Sequence, residues 1–214
     1  MTDQATGASL RELLGGRRGA VDASIPPAVF VLGWVLTGRS IGWGALSAVI
    51  AGGLVAIVRL RRGGRAIAAL TSIAAVAGGA LIALYTGRAQ DFFLIQLLSN
   101  VASALVWTVS ILVRWPLLGV VVGILVGQKA RWRRDPDLVR AYGRASWVWV
   151  FAQYTLRVVV FGLLWWSGWV VALGVARVAL SWPLVAATVA ASAFVFRRTL
   201  PEGHPGLRHP RMRT

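Results

Sequence analysis

The stretch Ala145–Phe196, ASWVWVFAQYTLRVVVFGLLWWSGWVVALGVARVALSWPLVAATVAASAFVF, decides the fold. Its only charged residues are Arg157 and Arg177. A hydrocarbon core about 30 Å thick takes about 20 helical residues at 1.5 Å rise per residue. The stretch is too long for one crossing, and Ser167-Gly168-Trp169 interrupts it with turn residues. It therefore reads as a helical hairpin of two spans, 145–167 and 169–196.

Working toward the N-terminus, three more runs are long enough to span: 41–60, 67–86 and 92–113. Arginines close them. Arg59, Arg61, Arg62 and Arg65 close the first, Arg88 the second and Arg114 the third. The apolar run Ala28–Thr37 is short on its own. Extended back through Pro27 and Pro26 to Ala20 it becomes a first, proline-bearing span over 20–37. The run 117–127, after Pro116, is shorter than a crossing and reads as an interfacial or re-entrant helix.

Counting basic residues sets the topology. Six spans, with 117–127 kept on the side of Arg114, place nineteen Lys and Arg inside and two, Arg39 and Arg88, outside. If 117–127 crossed, eight would lie inside and thirteen outside. Cytoplasmic loops carry the excess of Lys and Arg. The sequence thus predicts an all-α, polytopic bundle of six transmembrane helices with both termini cytoplasmic. Residues 1–19 form a cytoplasmic segment, in which Ser9 and Glu12 make a capping box for a short surface helix at Leu10–Leu14. Residues 20–198 form the membrane domain. Residues 199–214, with Pro201, Gly203, Pro205, Gly206 and Pro210, form a flexible tail. The N-terminus lacks the basic and apolar regions of a secretory signal peptide.

Composition agrees. Hydrophobic residues make up 57% of the 214 and charged residues 14%, against roughly 25% in soluble domains. Mean hydropathy is +0.69, and eleven residues are Trp, which excludes a disordered chain. Cysteine is absent, which excludes a disulfide scaffold, a cysteine-ligated metal and a thiol enzyme. Net charge is +16, and Lys129 is the sole lysine. Arginine, alanine, glycine and tryptophan in such proportion fit a GC-rich bacterial genome, so the expected location is the bacterial plasma membrane. The charges punctuate apolar runs rather than gather on one soluble face, so nucleic acid is not an expected partner. Membrane lipid, in particular the anionic inner leaflet, and other envelope membrane proteins are. Trp43, Tyr85, Phe92, Phe93, Trp165, Trp166 and Trp169 fall near the outer span ends, and Trp115, Trp132 and Trp147 near the inner ones, as an aromatic belt does.

The candidate site is the arginine pair. Arg157 lies eleven residues before Gly168 and Arg177 nine after it, which puts both about 13–17 Å deep. A mid-membrane arginine costs at least about 2.5–3.5 kcal/mol, so something must compensate it. Trp149, Gln153, Arg157, Phe161 and Trp165 recur on one face. Gly174, Arg177, Ser181, Thr188 and Ser192 run along another. Gln96, Ser99, Asn100, Ser103, Trp107 and Ser110 make a third polar stripe. Asp22 is the best candidate counter-ion. The expected network joins Asp22, Arg157 and Arg177 with Gln153, Asn100, Ser103 and Ser181, and Pro183 adds to it by freeing the carbonyl of Ala179. Two readings stay open: polar glue between helices, or an anion site for a carboxylate or lipid phosphate.

The segment 129–144 holds six basic residues, with Arg131, Arg133 and Arg134 as expected lipid-headgroup contacts. Gly44, Ala48 and Gly52, and Ala75, Gly78, Gly79 and Ile82, form small-residue faces for packing within the monomer. Trp-Pro-Leu occurs at Trp115 and at Trp182, but 28 residues after Gly87 in one case and 14 after Gly168 in the other, so it marks no internal repeat.

Leu10-Arg11-Glu12-Leu13-Leu14-Gly15-Gly16-Arg17-Arg18-Gly19 with Asp22 and Pro26, then Arg114-Trp115-Pro116-Leu117-Leu118-Gly119, then Leu173-Gly174-Val175-Ala176-Arg177 with Trp182-Pro183-Leu184, resemble the actinobacterial multi-pass membrane family DUF 3159 over nearly the whole chain. The layout is also similar, more distantly, to the intracellular septation protein A group, with arginines where that group has lysine-rich loops. The resemblance implies a cell-envelope setting and no defined chemistry. No span contains His, Cys or Glu, the intramembrane serines have no general base beside them, and no nucleotide or zinc motif occurs. His204 and His209 lie in the tail. The expectation is a protein that is not an enzyme, without cofactor or metal, acting as an interaction or scaffold protein of the envelope. The alternative is a small-solute, anion or lipid transporter that uses Arg157 and Arg177 as its anion-binding site.

Overall fold

The structure is a computed structural model and describes residues 16–127 and 130–201. The expected capping box at Ser9 and Glu12, Lys129 and both histidines lie outside those residues. The described chain is helical, without a strand. In order, the helices are α1 Gly16–Leu36, α2 Ile41–Arg61, α3 Ala66–Thr86, α4 Leu94–Leu112, α5 Leu117–Leu125, α6 Pro136–Val148, α7 Leu156–Trp166, α8 Val170–Ala179 and α9 Trp182–Thr199. A 3-10 turn, Ala89–Phe93, leads into α4, and another, Arg131–Arg134, precedes α6. A π-helical segment, Trp149–Thr155, joins α6 to α7.

Four helical stretches have the length and hydropathy to cross a membrane: Ile41–Arg61, Ala66–Thr86, Ala89–Leu112 and Pro136–Trp166. A fifth follows if α8 and α9, broken at Leu180-Ser181, count as one span. The apolar part of α1, Val21–Leu36, is shorter. It is nonetheless one helix through Pro26 and Pro27. The chain is an integral, multi-pass membrane protein.

Two boundaries differ from the sequence reading. The helix expected to begin at Ala145 begins at Pro136. Asp135 caps it by accepting from the backbone N–H of Asp137 at 3.1 Å and of Leu138 at 3.4 Å. Proline at the first helical position needs no donor, so Asp135-Pro136 is a strong start signal. The last span, expected as one helix over 169–196, is two. Pro183 has no N–H and its ring disfavours helix just before it, so α8 stops at Ala179 and α9 restarts at Trp182. The expected hairpin turn is present. Gly168 has φ +69°, a left-handed value that residues with a Cβ rarely adopt. The expected short helix after Pro116 is α5.

The chain forms two compact units. One comprises Arg17–Ser99 with Arg157–Trp182. Its core stacks Phe30 on Phe92, ring centroids 4.0 Å apart and nearly parallel, with Phe93 edge-on to both. Ala45, Ala48, Ala80, Ala83, Phe161 and Leu173 complete it. Phe92 and Phe93 are therefore core residues and not part of the expected belt. The small-residue faces let backbones approach within this unit. Gly44, Ala48 and Gly52 are buried on α2. On α3 the packed face is Ala69, Gly79, Ala80 and Ala83, while Ala75 is exposed. A Cβ on Gly79 would stand 2.6 Å from the Phe92 carbonyl oxygen. Leu36, Tyr85 and Trp166 remain at least 80% exposed, as apolar side chains solvated by lipid are.

The other unit comprises Asn100–Leu156 with the chain from Pro183 onward. Trp132, Tyr142 and Phe196 pack together with Leu138 and Ala141. Trp132 is 1% exposed, so it too leaves the expected belt. Asn100, Ser110, Ser146, Gln153, Thr188 and Ser192 are buried in this unit.

Candidate functional site

Arg157 is the second residue of α7, two residues past the end of the π segment. Its guanidinium donates to the carbonyl of Leu180, and a second acceptor, the Ser181 carbonyl, lies at 3.4 Å. Both acceptors exist because the last span breaks there. The final carbonyls of a helix have no intrahelical donor, and they carry the negative end of its dipole. Some find partners in tight turns: Leu180 N–H donates to Ala176 and Ser181 N–H to Val178. The carbonyls beyond take the guanidinium. Arg157 is thus compensated by a helix end.

Arg177 sits in the last turn of α8, so both arginines gather at one helix C-terminus. A cation there is favoured by about 0.3–1 kcal/mol at exposed sites and more where water is scarce. Asp22, expected as the counter-ion, is half-buried on α1 and makes no ion pair with either arginine among the described residues. Ser181 contributes its backbone carbonyl to Arg157, while its hydroxyl donates to the Val178 carbonyl at 2.6 Å.

The other expected members belong to the second unit. The Thr188 hydroxyl donates to the Leu184 carbonyl at 2.8 Å, with Gln153 Oε1 at 3.5 Å. Ser192 donates to the Thr188 carbonyl at 2.7 Å. Asn100 is buried on α4 and Ser103 half-buried. Trp107 stacks on Trp149, centroids 5.3 Å apart. The π segment explains why a simple four-residue stripe misjudged this helix. A π turn carries an extra residue, so Trp149 and Gln153 do not keep α-helical register with Arg157.

The structure adds a residue pair that the sequence reading did not single out. Asp91, 4% exposed, accepts from the indole N–H of Trp165 at 2.8 Å. The Arg88 guanidinium lies over the same indole, 5.2 Å from its centroid. This lock ties the 3-10 turn before α4 to the end of α7. A lone acid between Arg88 and Phe92-Phe93, in a chain with seven Asp and Glu, was the available signal.

The basic residues expected at lipid headgroups lie together on the 3-10 turn Arg131–Arg134. Trp132 points into the core, while Arg131, Arg133 and Arg134 are exposed. Arg133 stacks over the Trp115 ring at 3.8 Å.

The family model for DUF3159, described as a protein of unknown function, matches residues 14–203. The chain belongs to the DUF3159 family. No curated protein and no solved structure matches it. The matched span of the DUF3159 chain takes in both Trp-Pro-Leu helix restarts, both arginines and the basic turn. Among the described residues, no group of three or more His, Cys, Asp or Glu is placed to hold a metal ion.

Proposed function

We propose that this DUF3159 protein is a non-enzymatic interaction or scaffold protein of the bacterial plasma membrane, working through its helix bundle on lipid and on other envelope membrane proteins. It crosses six times, with both termini and the Arg131–Arg134 turn on the cytoplasmic side. The orientation is supported by the nineteen-to-two partition of basic residues. The sixth crossing is α1, whose 21 residues reach about 31 Å as helix.

One observation favours a structural role for the half-buried arginines over an anion carrier. The Arg157 guanidinium is already engaged by the carbonyls at the broken end of α8. A carrier needs donors that a solute can claim and release, whereas these donors hold the bundle to its own backbone.

Reconstitution tests the reading. Proteoliposomes of the full chain, loaded with radiolabelled phosphate, acetate or chloride, should leak no faster than protein-free vesicles. Saturable uptake that disappears in Arg157→Lys would support the transporter reading and contradict this one.

A further inference from the structure

We infer that the turn Arg131–Arg134 is a specific seat for one anionic phospholipid headgroup, of the kind that carries two phosphodiesters. The inference deepens the proposed lipid partnership and rests on that reading.

The geometry starts from Trp132. Its ring is buried against α5, where Gly119 leaves room: a Cβ there would come within 2.8 Å of the indole. Tyr142 also packs edge-on against Trp132, centroids 5.3 Å apart. With its second residue wedged in this way, the turn is fixed in a stated orientation. In a 3-10 turn, side chains three apart eclipse, so Arg131 and Arg134 share an edge. Arg133 is pinned by its stack on Trp115, which leaves the guanidinium edge open to donate its N–H fork to a phosphate. Ala130, Arg131, Arg133 and Arg134 line a cleft of about 560 Å³.

The nearby acids have partners outside the turn. Asp135 caps α6, and Asp137 pairs with Arg140 at 3.4 Å. None of the three arginines of the turn makes an ion pair among the described residues. Three cations on one turn exceed what one phosphodiester can offset, which favours a headgroup with two. A soluble anion would have the same chemistry, but the surroundings favour a lipid. The cleft adjoins α5, an uncharged helix, LLGVVVGIL, with Val121 and Ile124 exposed for acyl chains, and it follows the span that ends at Leu112. At about 1.5 Å per residue its nine residues are too short to cross, so they fit the boundary where headgroups lie.

Native mass spectrometry of the full chain, released from nanodiscs holding diphosphatidylglycerol, phosphatidylglycerol and phosphatidylethanolamine in equal amounts, tests the inference. The wild type should retain one diphosphatidylglycerol in preference to the others. Arg131→Gln, Arg133→Gln and Arg134→Gln, all at exposed positions, should each weaken retention about tenfold, the effect of losing one charge-assisted hydrogen bond. The charge-matched set Arg59→Gln, Arg61→Gln and Arg62→Gln should leave it unchanged. Equal loss in both sets would overturn the site in favour of general surface charge. Displacement by millimolar inorganic pyrophosphate would overturn the lipid in favour of a soluble anion. Retention is read apart from solute flux, and labelling of an Arg140→Cys variant by an impermeant reagent on intact cells tests the proposed orientation independently.

Discussion

The two Trp-Pro-Leu sequences do the same local job and end differently. Each restarts a helix after a break: Trp115-Pro116-Leu117 opens α5 and Trp182-Pro183-Leu184 opens α9. At the first, the broken end is closed by its own neighbours. Trp115 N–H donates to the Ser110 carbonyl at 2.9 Å, and Leu117 N–H reaches the Ser110 hydroxyl at 3.3 Å. The cationic contact there, Arg133 over Trp115, is an exposed side chain on a ring face. At the second, the loose carbonyl end recruits the guanidinium of Arg157 from another helix. On the proposed six-span topology, the difference is one of depth. A break at the membrane boundary can lean on water and headgroups. A break inside hydrocarbon must find its donors within the protein, because each unsatisfied polar group there costs several kcal/mol.

The comparison can be broken most easily at the deep site. Arg157→Met removes the donor and keeps the apolar stem, leaving the half-buried carbonyls of Leu180 and Ser181 without that donor. It should lower stability in detergent by about 2–4 kcal/mol, with Arg157→Lys recovering part of that. Differential scanning fluorimetry reads the loss, and a midpoint unchanged by Arg157→Met would refute the deep half of the contrast. Next in size is Trp165→Phe, which strips Asp91 of its buried donor. A loss of about 1.5–3 kcal/mol is expected in chemical denaturation, and less from Asp91→Asn, which keeps an acceptor. Ser110→Ala tests the shallow break directly. About 1 kcal/mol should be lost there, because the neighbouring backbone bond from Trp115 survives. Smallest is Arg133→Ala, where the exposed cation–π contact contributes about 0.5–1 kcal/mol. If thermal shifts ranked the shallow substitutions above the deep one, depth would not be the controlling variable.

The same contrast separates what could be read from the sequence from what could not. Runs bounded by arginines, the turn at Gly168 and the short helix after Pro116 are all legible, because hydrocarbon thickness imposes length and composition on each segment separately. Arg157 was recognisable as a costly residue needing compensation. Its partner was not, because a backbone carbonyl has no residue signature. Asp22 drew attention as a nearby acid, yet the negative end of α8 supplies the acceptor. Pro183 was the clue to that end. Its effect was placed at the Ala179 carbonyl, whereas the break delivers Leu180 and Ser181. The π segment at Trp149–Thr155 was hidden for a related reason: every residue in it is compatible with α-helix, and only the ladder of backbone bonds reveals the extra one. Phe92, Phe93 and Trp132 fall at span ends in sequence, so they read as belt residues. Burial assigns them to cores instead, since position along a span does not fix which way a ring points.

The most direct measurement of the central claim is a distance in the bilayer. Protein with ¹⁵N in its arginine guanidiniums and ¹³C in its leucine carbonyls, reconstituted in lipid, permits a rotational-echo measurement between the two, assigned to Leu180 as the leucine carbonyl signal lost in a Leu180→Ile variant. A hydrogen bond to the carbonyl oxygen puts the guanidinium nitrogen about 4 Å from the carbonyl carbon, and the dephasing should vanish in Arg157→Met. Absence of that dephasing in the wild type, or dephasing restored only when phosphate is withdrawn, would contradict the assignment of Arg157 to the broken end of α8.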